Sequence, residues 1–78
     1  MNRFQLYAEM IDDAYIDLAP SYRYKVKEVR SDHYVILEGS PRRYKTSSFQ
    51  IYKNDKKITF EEAYRSYKLG ILMDRYGV

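Results

Sequence analysis

The residues with the clearest chemical potential in this sequence are cationic and lie in its middle third. Basic and apolar residues alternate in "YRYKVKEV", and a second basic cluster follows the proline in "GSPRRYK". Proteins that bind single-stranded nucleic acid combine such cations, which follow the phosphates, with aromatic rings, which stack on bases. The predicted binding surface combines cationic and aromatic side chains: Arg23, Lys25, Lys27, Arg42, Arg43, Lys45, Tyr34, Tyr44 and Tyr52.

The same pattern is also typical of a surface without a ligand. An antiparallel sheet commonly exposes one polar face to water, and lysines on strand edges prevent edge-to-edge aggregation. The charge excess is mild, with a formal net charge of +3. The cationic segment therefore predicts either a binding surface or an ordinary solvated sheet face.

Catalytic and metal-binding patterns are weak in this sequence. His33 is the only histidine and there is no cysteine, so a zinc site would need mostly carboxylate ligands. The adjacent Asp32 would point to the opposite face of a strand and would not orient the imidazole. Asp12, Asp13 and Asp17 lack the glycine-turned loop of a calcium site, and we interpret them as a solvated face. The sequence predicts no catalytic residue, no metal ion and no cofactor.

Composition predicts one small domain that spans the 78 residues, 1–78. Hydrophobic residues make up 45% of the chain, which is enough for a folded core. Residues 1–20 carry a net charge of −3, residues 21–58 carry +6, and residues 59–78 are neutral. There is no long apolar run that could span a membrane and no apolar signal segment at the start, so we predict no membrane partner and a cytoplasmic location.

An N-terminal helix is predicted over residues 3–18. Phe4, Tyr7, Ile11, Ala14, Tyr15 and Leu18 follow the spacing of one helical stripe. Asn2 and Gln5 have the spacing of a helix cap, and Pro20 would end the helix. Leu6 and Ile16 fall outside this stripe.

Short strands are predicted through the middle of the chain. Residues 22–29 alternate and then lose phase at "EV", which indicates a bulge. Residues 33–38 are apolar on both faces, as in a central strand. Residues 44–52 form either one bent strand or two short ones with Phe49 and Ile51 inward, and Ile58 closes a last short strand.

A C-terminal helix is predicted to begin after "TFEE", in which Thr59 and Glu62 form a capping box. Its first apolar stripe consists of Phe60, Ala63, Tyr64, Tyr67 and Ile71. A second stripe, on nearly the opposite side, consists of Leu69, Leu72, Met73 and Tyr76. Either the helix breaks at Gly70, or the second stripe packs on the first helix, a second copy or a foreign partner.

The segment "YRYKVKEVRSDHYVILEGSPRRYKTSSFQIY" resembles a small SH3-like barrel. The resemblance is based on Tyr24 and Val26, on residues 34–37, and on the pair Tyr44 and Phe49. The whole chain is similar in size and composition to short accessory proteins of bacteriophages and other mobile elements. This resemblance implies a binding role, often against host polymerases, nucleases or CRISPR effectors, and no catalytic residues.

The sequence therefore predicts an α+β fold, with a small curved antiparallel, SH3-like sheet between an N-terminal and a C-terminal helix. The first functional hypothesis is a non-catalytic protein that binds and modulates a host protein complex. A nucleic-acid-binding module that uses the basic, tyrosine-rich sheet face is the alternative. A homodimer that pairs through the second helical stripe is the third hypothesis.

Overall fold

Six short strands and one long helix make up the described part of the chain. The structure is a computed structural model that describes residues 5–76 and, at position 76, the backbone alone. The elements in chain order are β1 (Tyr7–Met10), β2 (Arg23–Val29), β3 (Tyr34–Leu37), β4 (Arg43–Lys45), a 3-10 turn (Thr46–Ser48), β5 (Phe49–Lys53), β6 (Lys56–Ile58) and α1 (Phe60–Tyr76). The α+β class and the antiparallel sheet are as the sequence predicts.

The strands form one sheet in the order β4-β3-β2-β1-β5-β6, with antiparallel neighbours throughout. Strand β2 connects the two halves of this sheet. Its residues 23–25 pair with β1, whereas its residues 26–29 pair with β3. The register shifts between Val26 and Glu28, which confirms the bulge predicted from the loss of alternation.

The predicted N-terminal helix is wrong. Residues 7–10 are strand β1, which pairs with β2 on one side and β5 on the other, and a loop of residues 11–22 follows. Leu6, Ala8 and Met10 are buried while Tyr7 and Glu9 face outward, so the period is two rather than 3.6. Pairing on both sides of β1 overrides the weaker helical spacing. Positions 3 and 4 of the predicted helix, and its cap residue Asn2, lie outside the described residues.

The segment predicted as one bent strand or two short ones forms two strands. The 3-10 turn of residues 46–48 separates β4 from β5, and Phe49 and Ile51 point inward as expected. Asn54 and Asp55 join β5 to β6 with positive φ angles of 52° and 64°. Two positive φ values are what a tight two-residue hairpin turn requires, and Asn and Asp accept them at low cost.

The core lies between the sheet and α1. Its largest fully buried side chains come from β2, β3 and β4: Tyr44, Leu37, Val29 and Val35. The core also contains side chains from β5, from β1 and from the residue just before β1: Leu6, Ala8, Met10, Phe49 and Ile51. The helix contributes Ala63, which is completely buried against β2 and β5. Small residues at the contact allow the helix backbone to approach the sheet closely.

Helix α1 begins at a cap and continues past the predicted break. The Thr59 hydroxyl accepts a hydrogen bond from the Glu62 backbone N–H at 3.2 Å, as the capping-box pattern predicts. The helix then runs without interruption through Gly70 to Tyr76. Of the alternatives left open for the second stripe, the break at Gly70 is excluded; one glycine costs only about 1 kcal/mol in a helix.

Ser66 is the one described side chain with a buried polar atom that lacks a hydrogen-bond partner. Ser66 lies on the buried side of α1 and is 4% exposed. We expect Ser66→Ala to raise the free energy of unfolding by about 1 kcal/mol, because it removes an unpaired hydroxyl and favours the helix. Urea denaturation measures this change. Ser47→Ala, at an exposed serine, is the control with an expected change within about 0.5 kcal/mol. A destabilised Ser66→Ala variant would contradict the expectation.

Among residues 5–76, no helix is both long enough and apolar enough to cross a membrane.

Candidate binding surfaces

The first predicted basic group, on β2, has one arginine engaged by acids and two exposed lysines. Arg23, Lys25 and Lys27 all face outward, as their alternation predicts. The Arg23 guanidinium lies 2.8 Å from Asp55 and 3.6 Å from Glu9. Lys25 and Lys27 form no ion pair among the described residues. The cationic character of this part of the sheet therefore comes from the two lysines.

The second basic group begins with Arg42, which pairs with the acidic β1–β2 loop. Its guanidinium lies 3.2 Å from the Asp17 carboxylate. The buried Tyr44 hydroxyl also donates a hydrogen bond to Asp17 at 2.8 Å, and this bond, with Arg42 beside it, holds the pKa of Asp17 below its usual value. The Tyr15 hydroxyl accepts a hydrogen bond from the Lys45 backbone N–H at 2.9 Å. These contacts attach the loop to β4 and occupy Arg42.

The three predicted tyrosines lie in different environments. Tyr44 is completely buried and belongs to the core, so it offers no ring to a partner. Tyr52 is 8% exposed, and the Arg23 guanidinium covers its ring at 3.9 Å. Tyr34 is half-buried beneath the Arg43 guanidinium, 4.6 Å from its ring centroid. Two of the three rings are thus covered by arginines.

The two basic groups lie on opposite sides of strand β3, one on β2 and the other at β4. Lys25 lies opposite Tyr7 on β1, whereas Arg43 and Lys45 lie on the edge strand β4. Strand β3 and the β2 bulge separate the two groups. In the predicted binding surface, β3 therefore lies between the two basic groups, and two of the six cations, Arg23 and Arg42, are paired with acids.

The register of the sheet creates a different row that the sequence analysis missed. Lys25 on β2 lies opposite Tyr7 on β1, Tyr7 lies opposite Tyr52 on β5, and Tyr52 lies opposite Lys57 on β6. Residues directly opposite each other share a face of the sheet, so this lysine–tyrosine–tyrosine–lysine row crosses four strands on the outward side. Lys57 is fifty residues from Tyr7 in the chain, and no local pattern connects them.

A second missed feature is a stack of three rings at the start of α1, which we call the ring ridge. The His33 imidazole stacks on Phe60 with centroids 4.0 Å apart, and Phe60 stacks on Tyr64 at 6.1 Å. His33 is exposed, and the other two rings are half-buried. Phe60 and Tyr64 belong to the first helical stripe, and their half-buried rings pack against the core while part of each ring reaches the surface.

Concave surfaces lie on both sides of the ring ridge. A cleft of about 480 Å³ lies between the ridge, the 3-10 turn and β6, with Phe49 and Ile51 among its apolar lining and Lys45 at its rim. A groove of about 470 Å³ runs along α1 on the other side, lined by the ridge rings together with Leu69 and Leu72. Depressions of this size suit the side chains of a partner.

The second helical stripe is partly open to solvent. Leu69 and Leu72 are 42% and 48% exposed, and Ile71, from the first stripe, is 36% exposed. Met73 is half-buried, and the side chain of Tyr76 lies outside the described part of the chain. The burial of α1 is greatest near Ala63 and Ser66 and decreases toward the C-terminal end. This end of the helix presents apolar side chains that the sheet does not cover.

Residues 5–76 contain no cluster of three or more histidine, cysteine, aspartate or glutamate side chains with metal-binding geometry. Asp32 beside His33 forms an ion pair with Arg30 at 3.2 Å, and this bond lowers the pKa of Asp32. The candidate binding surfaces on the sheet and on α1 consist of apolar, aromatic and cationic side chains.

No protein-family model matches this chain, and neither a curated protein nor a solved structure is similar to it at a significant level.

Proposed function

We propose that this chain is a non-catalytic binding protein that docks onto another protein through helix α1. The contact surface would be the ring ridge of His33, Phe60 and Tyr64, with the adjacent groove at Leu69 and Leu72. Support comes from the apolar and aromatic side chains that this helix leaves accessible. Aromatic residues at the edge of a preformed depression are typical anchors of protein–protein interfaces.

The charges around the groove define the chemistry of the partner. Arg65 and Lys68 line it on the solvent side, with Glu61 as the acid at the helix start. Lys68 also lies 5.7 Å from the centroid of the Tyr64 ring. A matching partner presents an apolar ridge bordered by acidic side chains, because such a surface fills the groove and pairs with both cations.

The wider role in this proposal is the modulation of a host protein complex, such as a polymerase, a nuclease or a CRISPR effector, in the cytoplasm. The resemblance of the chain to accessory proteins of mobile elements supports it. We also propose that the sheet is SH3-like. It is supported by β2, which contributes to both halves of the sheet, and by the short 3-10 turn between β4 and β5.

The proposal predicts that Leu72→Asp abolishes capture of the partner in a quantitative pull-down from host lysate. An aspartate in the groove places a negative charge against the acidic, apolar surface of the partner, and we expect at least about a tenfold loss. The control is Ile16→Asp, the same type of change at an isoleucine in the β1–β2 loop that is 99% exposed. Capture should survive in this variant.

Two results would contradict the proposal. One is equal capture by the wild type and the Leu72→Asp variant, and the other is no specific protein in any pull-down. Light scattering of the purified chain, whose mass is 9.4 kDa, addresses self-association separately. A doubled mass that Leu72→Asp returns to that of the monomer would assign the same surface to a homodimer instead.

A further inference from the structure

We infer that the lysine–tyrosine row across β2, β1, β5 and β6 binds the backbone of single-stranded nucleic acid. This row consists of Lys25, Tyr7, Tyr52 and Lys57, and it lies on the outward face of the sheet. It is separate from the α1 surface, and the inference does not depend on the proposed protein partner. Exposed lysines are spaced across this face, Arg23 engages two of its acids, and flat groups lie between the lysines.

The spacing places three cations along two directions of the sheet. Strands are about 4.8 Å apart, so three strand intervals separate the backbones at Lys25 and Lys57 by about 14 Å. Lys27 lies two residues from Lys25 on β2 and is also exposed, which adds a cation about 7 Å away along the strand. The interval of about 7 Å matches neighbouring phosphates of a single strand, and the interval of about 14 Å matches phosphates about two nucleotides apart, so the three lysines can contact one backbone that turns across the sheet.

Two acids on this face contact Arg23, whose guanidinium lies 2.8 Å from Asp55 and 3.6 Å from Glu9. One guanidinium balances one of these two carboxylates, so three lysines face a single uncompensated charge from this pair. Glu38 is the remaining nearby acid, since its backbone N–H bonds to the Lys25 carbonyl oxygen at 2.9 Å. The Glu38 side chain is exposed and forms no ion pair among the described residues, and neither does Lys25, whose exposed ammonium is open to a ligand.

The groups between the lysines favour nucleic acid over an acidic peptide. Tyr7 is half-buried and partly open at the centre of the row. The Tyr52 ring is covered by the Arg23 guanidinium at 3.9 Å, and the Arg23 side chain is 40% exposed. A tyrosine ring and a stacked guanidinium plane are two flat surfaces on which bases stack. An acidic peptide would make no comparable use of them.

The test is fluorescence anisotropy with labelled oligothymidylate of about 12 nucleotides, at about 50 mM salt and above. We expect binding whose log–log salt slope is about −2, since each of three lysine–phosphate contacts contributes about −0.7 for a single strand. The double substitution K25Q/K57Q should weaken binding at least about tenfold and reduce the slope to about −0.7. Thermal unfolding of this variant verifies that it is folded.

The matched control is K56Q/R75Q, which removes the same charge from two exposed cations outside the row and outside the α1 groove. It should retain most of the affinity. An equal loss in both double variants would reveal attraction by net charge alone and would overturn the inference. The absence of binding at low salt would also overturn it, as would displacement of the oligonucleotide by polyglutamate as effective as displacement by unlabelled oligothymidylate.

Discussion

Replacement of Tyr44 by alanine is expected to lower the free energy of unfolding by about 3–5 kcal/mol, the usual cost of removing a buried aromatic ring. Tyr44 is completely buried, and its ring contacts Tyr15 edge-to-face at 4.8 Å and Phe49 at 5.9 Å. Its hydroxyl also bonds to Asp17 and Ser40. One residue thus connects edge strand β4, the core and the acidic loop, and its loss affects all three.

This loss is large for a domain of 78 residues, because small domains are stable by only about 5–15 kcal/mol. Urea denaturation followed by circular dichroism measures it. Tyr44→Phe is the control, since it retains the ring and removes only the hydroxyl. We expect it to cost about 1 kcal/mol, because the released Asp17 is exposed and returns to water. A Tyr44→Ala variant as stable as Tyr44→Phe would show that the ring is not part of the core.

Ala63→Asp is expected to lower the free energy of unfolding by at least about 3 kcal/mol, because it buries a charge that has no partner. Ala63 is the completely buried contact of α1 with the sheet. The larger carboxylate side chain must either desolvate there or separate the helix from β2 and β5. Urea denaturation measures the total loss, and hydrogen exchange of the α1 amides locates it.

Arg65→Asp is the control for this change, since it places the same side chain two residues further along α1 at an exposed position. This variant has the low helix propensity of aspartate but does not bury the carboxylate. We expect its free energy of unfolding to fall by less than about 1 kcal/mol. Similar losses for the two variants would indicate that α1 does not dock through Ala63. Faster exchange of the α1 amides in the Ala63→Asp variant alone would confirm the docking.

The middle strands and the C-terminal helix were predictable because their signals are local. The alternation of residues 22–29 and its loss of phase indicate both β2 and its bulge, and the structure has both. The capping box at Thr59 and Glu62 begins α1 where the sequence predicts. In these segments, the propensity, the periodicity and the cap all favour one structure, so little is left for tertiary contacts to override.

The N-terminal segment was not predictable for the opposite reason. Its spacing fits a helical stripe, but "LYAEM" also alternates, and a four-residue strand leaves only a short alternation to detect. Whether this segment forms a helix or a strand depends on β2 and β5, which pair with β1 on its two sides. In the resulting sheet, Ala8 is completely buried. The paired residues of these strands are 14 or more residues away, and no short window around β1 contains them.

The candidate binding surfaces were predictable in residue type but not in arrangement. The sequence correctly places Lys25 and Lys27 on an outward face, yet it does not show that Arg23 and Arg42 are engaged by Asp55 and Asp17. Ion pairs between residues distant in the chain form only when strand pairing brings them together. The same holds for the ring ridge, in which a turn residue, His33, stacks on a helix residue, Phe60.

By itself, the sequence determined a small α+β chain with a basic middle, many tyrosines and a capped C-terminal helix, because composition, alternation and caps act over a few residues. Tertiary structure alone decided that the first segment is a strand, that Tyr44 lies in the core, and that Lys25 and Lys57 flank two tyrosines in one row. Each of these depends on the register between strands far apart in the chain, and the sheet sets that register only when all its strands are assembled.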